Sequence, residues 1–277
     1  SDPSSSIKRE AGTYGTLRGL GIASSEYLNP TPFLAQEYYK IDGYRDNSEF
    51  REGSTFDKIS FPLLNSIVSL RYNYYQSNWG GASYVPMDLI RSGQWNRKRP
   101  INPTDGGDVW MYQVVGNLAP ACGERGLYAS LYLAKYHGMR YDQRWPATGY
   151  PSATNQMSRM EDVFYWGGRI YYNLVFGDIA SLVLGGETRQ DRGDQQQYTT
   201  KNRTRVSNTY DYDVWLANWA MFLQGQIKPH DKVKIVGGVR WDYFIQQFDN
   251  YTRPQNSGKG TPFIRSPKIG FVMTPTD

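Results

Sequence analysis

The stretch Lys232 to Phe244, KVKIVGGVRWDYF, alternates apolar and polar side chains almost residue by residue. Side chains alternate across an extended strand, so Val233, Ile235, Gly237, Val239, Trp241 and Tyr243 share one face. Lys232, Lys234, Arg240 and Asp242 share the other with Val236, Gly238 and Phe244. One face suits hydrocarbon and the other suits water. Val214 to Ile227 repeats the design, with Trp215, Ala217, Trp219, Met221, Leu223 and Ile227 opposite Asn218, Gln224 and Gln226. Only Lys228 to Asp231 separates the two runs, a tight turn. Upstream, Val68, Leu70, Tyr72 and Tyr74 oppose Ser69, Arg71 and Asn73, and Phe164, Trp166, Ile170, Tyr172 and Leu174 oppose Arg169 and Asn173.

Strands are expected at 10–22, 31–43, 54–61, 66–79, 107–118, 126–141, 161–175, 179–190, 211–227, 232–248 and 263–274. The connections follow a rule. Those after the first, third, fifth, seventh and ninth strands are short, and those after the second, fourth, sixth, eighth and tenth are long and polar. Soluble sandwiches and propellers use strands of about five or six residues with mostly short connections. Short and long connections in strict alternation, with long strands, are what a membrane-spanning barrel produces, because one rim carries turns and the other carries outward loops. Tyr74, Tyr75 and Trp79, Tyr141 and Trp145, and Tyr243 and Phe244 fall near strand ends, as interfacial aromatic girdles do.

The chain has 277 residues, a formal net charge of +5, 23 Tyr and 8 Trp. Its mean hydropathy is −0.65. No window approaches the roughly eighteen consecutive apolar residues of a spanning helix, but a spanning strand needs only about nine to eleven alternating residues and leaves hydropathy low. The single Cys122 permits no internal disulfide, and His137 and His230 lie far apart in sequence, so no zinc-type ligand cluster is expected. Ser1-Asp2-Pro3 has no initiator Met and no secretory leader pattern, and Pro275-Thr276-Asp277 closes no element, so the chain reads as a segment of a longer protein.

Several stretches carry a family resemblance. EYYKIDGYRDNSEF (Glu37 to Phe50) followed by FDKIS, then FLQGQIKPHDKVKIVGGVRWDYF and SPKIGFVMTPTD, resemble successive barrel segments of the TonB-dependent outer-membrane receptors. REAGTYGTLRG resembles the first barrel strand, which follows the plug domain in that family. The resemblance covers essentially the whole chain. It implies an all-β fold, a partial antiparallel transmembrane β-barrel of about the first eleven strands of some twenty-two, with short periplasmic turns and long extracellular loops. It places residues 1–277 in the N-terminal half of the barrel, with the plug and the remaining strands absent. It further implies the outer membrane of a Gram-negative-type bacterium, contact with its lipid and lipopolysaccharide, and import of a scarce ligand, a ferric siderophore first among them. Energy would come from the TonB complex through a plug not present in this chain.

On the water-suited face, Arg71, Arg169, Arg240 and Asp242 are expected to point into the lumen. In the resembled family the ligand binds higher, on outer loops, and here two of those segments combine aromatics with bases. Residues 80–106 hold Tyr84, Trp95, Arg97, Lys98 and Arg99, and residues 191–210 hold Tyr198, Lys201, Arg203, Arg205 and Tyr210. A basic rim steers an anionic chelate by its long-range field, and it also suits lipopolysaccharide phosphates. The stretch Gly43, Tyr44, Arg45, Asp46, Asn47 and Ser48 is the most family-specific; glycine and Asx chemistry there point to a structural turn at the first outer loop.

No Walker loop, nucleophile elbow or HExxH stretch is present, so no catalytic residue, metal site or cofactor is expected. The modest charge, with no recognition motif, argues against nucleic acid as a partner. The rival readings are a passive porin, which the family motifs disfavour, and a soluble β-rich carbohydrate-binding or hydrolytic domain.

Overall fold

The structure is a computed structural model that describes residues 5–144 and 155–274. Thirteen strands form one antiparallel sheet. In chain order they are β1 (Ser6–Ala11), β2 (Leu17–Ser24), β3 (Thr31–Ile41), β4 (Phe50–Leu63), β5 (Ser66–Gly80), β6 (Gly106–Pro120), β7 (Gly126–Gln143), β8 (Gln156–Phe176), β9 (Ala180–Lys201), β10 (Thr204–His230), β11 (Val233–Asn250), β12 (Gly258–Gly260) and β13 (Phe263–Met273). Each strand from β1 to β11 pairs with its sequence neighbour. The far side of β11 is covered by β12 over Gln246 to Phe248 and by β13 over Val233 to Tyr243. β1 and β13 do not meet, so the fold is a partial barrel wall whose sheet is unclosed among the described residues. Helix α1 (Met87–Arg91) interrupts the connection between β5 and β6.

Two stretches differ from the sequence expectation. The first strand, expected over 10–22, is two strands, because the chain reverses at Tyr14 and Gly15, whose φ angles are 57° and 70°. A Cβ on Gly15 would lie 1.9 Å from Asp42 Oδ2, so that turn admits only glycine. The second stretch is 191–210, expected as a long polar loop. It is instead the outward continuation of β9 and β10, paired almost to their ends and joined by Asn202 and Arg203 alone. Both turn residues have positive φ, 48° and 66°, the conformation that matches the twist of a two-residue hairpin. Polar residues in continuous backbone pairing form strand as readily as apolar ones when neither face must be buried.

Cross-strand partners share a face, so the ladders sort every side chain onto one of two surfaces. One surface is apolar and exposed. Leu70, Leu131, Trp166, Ile170, Tyr172, Leu184, Trp219, Met221, Leu223 and Trp241 stand on it at successive registers. On β10 this apolar run extends from Ile227 to Trp215 and gives way to Asp213. At that level Asp162, Asp194, Asp213 and Asp249 stand directly opposite one another on β8, β9, β10 and β11. Like charges face to face are unfavourable unless hydrated or paired. Lys135 pairs with Asp162, the Gln247 side chain donates to Asp249 at 2.7 Å and the Tyr251 hydroxyl donates to Asp213 at 2.9 Å. The aspartate row therefore marks where the apolar surface ends and a polar one begins.

Above that row β10 continues to Thr204, and its 27 residues are more than twice the roughly eleven a barrel strand needs to cross a membrane. The other surface of the sheet is polar. There Arg240 binds Asp242 at 2.9 Å and Glu187 at 3.0 Å, and Asn218 donates to Asp242 at 3.1 Å. Arg169 lies over the rings of Phe222 at 4.8 Å and Tyr171 at 5.1 Å. Of the aromatics expected in a girdle, Tyr74, Tyr141 and Tyr243 stand on the apolar side, while Tyr75, Trp79 and Phe244 stand on the polar side. Adjacent residues on a strand cannot both face lipid. Trp145 lies outside the described residues.

In the full-length polypeptide, Val239→Lys on the apolar face should cost about 2–4 kcal/mol, whereas Val236→Lys on the polar face should cost less than about 1 kcal/mol. Reversible urea unfolding in lipid vesicles measures both. Equal costs would contradict the assignment of faces.

Candidate functional site

The segments richest in aromatics and bases lie at the end of the wall where alternate connections gather. Two polar clusters hold them there. The first is built by the turn between β3 and β4. Gly43 has φ 81°, and a Cβ there would meet Ser48 Oγ at 2.2 Å. Ser48 Oγ accepts from the Arg45 amide at 3.1 Å, which closes the turn. Asn47, also at positive φ, then directs its amide Nδ2 to the carbonyls of Gly81, Asn102 and Asp105, the last at 2.9 Å. The Arg45 guanidinium donates to the carbonyls of Ser83, Ala82 and Arg99, and the Asp46 amide donates to the Lys98 carbonyl. Gly43, Arg45, Asp46 and Asn47 thus act through backbone groups of 81–105, while Tyr44 packs edge-on to Tyr14 at 5.9 Å.

The second cluster joins the far end of that connection to the β9–β10 hairpin. Asp105 is 2 % exposed; its Oδ1 accepts from Gln156 Nε2 at 2.7 Å and its Oδ2 from the Gln143 amide at 2.9 Å. Gln156 Oε1 accepts from the Thr200 hydroxyl at 3.1 Å and from the Arg203 amide at 2.8 Å. Arg203 Nε donates to the Thr104 carbonyl at 2.7 Å, and its guanidinium lies over Tyr141 at 4.9 Å. Arg203 adopts the left-handed conformation, uncommon for a residue with a Cβ, and three side-chain and backbone contacts hold it there. Burial pushes the Asp105 carboxyl above the usual carboxylate range, and the hydrogen bonds from Gln156 and Gln143 only partly offset that.

Each residue expected at the rim therefore has a place. Tyr84 is 82 % exposed at the start of the 81–105 segment. Arg97, Lys98 and Arg99 are exposed; Arg99 lies over Trp95 at 4.8 Å and Lys98 over Tyr44 at 5.7 Å. Arg203 is brought against the 81–105 segment although about a hundred residues separate them. Tyr198, Arg205 and Tyr210 are strand residues, not loop residues, for the reason given above. Arg205 stacks on Tyr198 at 4.1 Å, and Tyr210 stacks on Tyr212 at 5.5 Å on the polar face. Arg71, Arg169, Arg240 and Asp242 all lie on the polar face, well below the rim.

Sequence reasoning missed the tie residues Asn102, Asp105, Gln143, Gln156 and Thr200, all 9 % exposed or less. It also missed the aromatic cluster Tyr210, Tyr212 and Phe248, in which Tyr212 and Phe248 have ring centroids 5.0 Å apart. The signal for the cluster was present: Tyr210, Tyr212 and Phe248 occupy alternate positions on adjacent strands. The tie had no sequence signal, because its members are ordinary polar residues from separate connections.

No family model matches the chain, and no curated protein matches it in sequence. Solved structures do match it in shape. The copper transporter OprC superposes with a TM-score of 0.69 at 12% identity over 98% of this chain and 42% of its own. The ferric citrate transporter FecA gives 0.69 at 12% over 98% and 41%. The siderophore receptor PiuA from Acinetobacter baumannii gives 0.68 at 13% over 96% and 46%. The chain has the barrel-wall fold of the TonB-dependent siderophore and metal receptors, and spans less than half the length of each of these three.

Gln156→Leu in the full-length polypeptide leaves Asp105, Thr200 and Arg203 without their shared partner, and should lower the stability of the rim by about 3 kcal/mol or more. Native-state hydrogen exchange at Arg203 and Gln143 reads this directly. The Asp105 carboxyl titrates higher when folded than when unfolded, so its contribution is present below the unfolded value and lost as pH rises through the folded value. Protease access to the β9–β10 tip should therefore fall as pH is lowered from 7 toward the ordinary carboxylate range.

Proposed function

We propose that this chain is the N-terminal half of the barrel of an outer-membrane receptor that captures an anionic metal chelate, a ferric siderophore first among the candidates, and admits it to the cell. The observation that carries the reading is the joining of two basic, aromatic segments at one rim. Arg203 reaches Thr104, and Arg45 with Asn47 ties the same connection from its other side. Arg97, Lys98 and Arg99 are left outward on that tied base, beside Trp95. Fixed cations on a rim draw in anions from a distance, and aromatic faces supply contact area once the anion arrives. The neighbours in shape point the same way, being a siderophore receptor, a ferric citrate transporter and a copper transporter.

The remainder of the barrel, a plug and energy from a TonB complex belong to this proposal through the shared fold. Lipid and lipopolysaccharide would then contact the apolar face and the belt above it.

Replacing Arg97, Lys98 and Arg99 together with Ala in the full-length polypeptide should slow capture of an anionic ferric chelate, more at low salt than at high, because screening removes a long-range term. The backbone carbonyls that Arg45 and Asp46 use remain, so the segment keeps its place. Lys228→Ala with Asp231→Ala, at the opposite rim, should leave capture intact. Equal losses from both sets, or loss from the turn alone, would invert the orientation. A neutral ligand bound independently of salt would sink the anionic chelate.

A further inference from the structure

Several charges of the polar face are paired within the wall, while Arg159, which stands opposite Arg140, and Lys234 have no ion pair among the described residues. Arg240 has Asp242 and Glu187, Arg189 has Asp191, Arg140 has Asp142, and Arg18 has Glu37 and Glu10. Arg169, which has no ion pair, lies over two aromatic rings and directly opposite Glu187. Lys58 on β4 and Arg71 on β5 differ from Arg140 and Arg159, of which Arg140 has Asp142. They are direct cross-strand partners on the polar face, two cations side by side, and neither has an ion pair or hydrogen bond among the described residues. The Nε atom of Arg71 is buried with no partner. Like charges directly opposite on a sheet are unfavourable, and a buried guanidinium donor without an acceptor adds to that.

The surroundings explain why the wall itself does not relieve the pair. Phe33 lies across from Lys58, and Val115, which is 7% exposed, lies across from Arg71. Outward of the pair, Phe56 is followed by Asn73, whose amide donates to Gln113 at 3.1 Å. Inward of it stand Ser60 and Ser69. No carboxylate occupies a neighbouring position on this face of β3, β4, β5 or β6. Lys58 is exposed and Arg71 half-buried, so two cations flanked by apolar side chains and neutral amide and hydroxyl groups stand open to an anion approaching this face, with which both can form charge-assisted hydrogen bonds.

We propose that Lys58 and Arg71 form an oxyanion site on the inner wall, which takes a carboxylate or phosphate group. The group comes either from a small anion in the lumen or from an acidic side chain of a protein segment lying inside the barrel; the chemistry is shared. The site lies well below the rim and goes beyond the capture reading, so either can fail without the other.

The test uses the full-length polypeptide in detergent micelles with nitrogen-15 arginine, the Arg71 Nε–H resonance being assigned by its disappearance in Arg71→Lys. Inorganic phosphate is titrated against chloride at matched ionic strength. A saturable shift with phosphate and none with chloride shows a site for a free anion, and Lys58→Met should then weaken it roughly tenfold or more, while Lys58→Arg preserves it. A resonance shielded from water exchange before phosphate is added, indifferent to phosphate, and losing its shielding as pH falls through the carboxylate range shows a site filled by a protein carboxylate. Arg240, already held by Asp242 and Glu187, serves as the reference that phosphate leaves unmoved. Free water exchange with no response to phosphate overturns the proposal, and so does shielding that survives at low pH, which would mean a carbonyl partner.

Discussion

A strand that faces hydrocarbon has no water to satisfy its backbone, so every N–H and C=O must find a partner on a neighbouring strand. This wall meets that demand strand by strand. From β4 to β11 the ladders are continuous over most of each strand, and the irregularities that do occur fall at the outer end of β10 and beside the β10–β11 turn. Continuous pairing fixes which residues stand opposite, and the period of two then separates an apolar surface from a polar one without a conventional core. Few apolar side chains are deeply buried, Val115, Ala134, Ala217 and Ala220 among them. Leu131, Ile170 and Met221 instead stand exposed on one surface of the sheet, which under the proposed function faces lipid.

The same backbone pairing carries the wall beyond the apolar surface. Once past the aspartate row, β8, β9 and β10 no longer need apolar side chains, yet their ladders continue, because two polar faces in water cost a strand little. The extended hairpin reaches the segment 81–105, and the buried amide, carboxylate and hydroxyl groups of Asp105, Gln156 and Thr200 fasten the two. A rim made in this way is stiffer than free loops would be. For the capture proposed above, stiffness matters, since a pre-ordered array of cations loses less entropy on meeting its ligand.

On the inner face, electrostatics are distributed unevenly. From β8 to β11, Arg189 and Arg240 are neutralised by Asp191, Asp242 and Glu187, while Arg159, Arg169 and Lys234 have no ion pair among the described residues. The stretch around β4 and β5 carries Lys58 and Arg71 with no acid beside them. Only there on this face do two cations without an ion pair stand directly opposite each other among the described residues, which is why the proposed negatively charged occupant is placed at that pair.

Much of this was legible in the amino-acid order, because the signal needed was local. Alternation along Val214 to Ile227 and Lys232 to Phe244 set the strands, their faces and the turn between them, and the place of Arg240 and Asp242 on the polar face followed from the same period. The apolar and polar faces are a property of each strand alone. What lies across from what is not. That Arg45 and Asn47 anchor 81–105, that Asp105 meets Gln156, and that Lys58 stands beside Arg71 depend on register and on connections folding back, which couple residues up to 99 apart. The 191–210 segment shows the limit most clearly: its polar composition reads as loop, and only pairing between two whole strands, completed by two turn residues of positive φ, makes it sheet. The sequence by itself determined the strands and their two surfaces, through side-chain alternation; the tertiary structure decided the rim and the unpaired cations, because those rest on contacts between distant segments that no local pattern encodes.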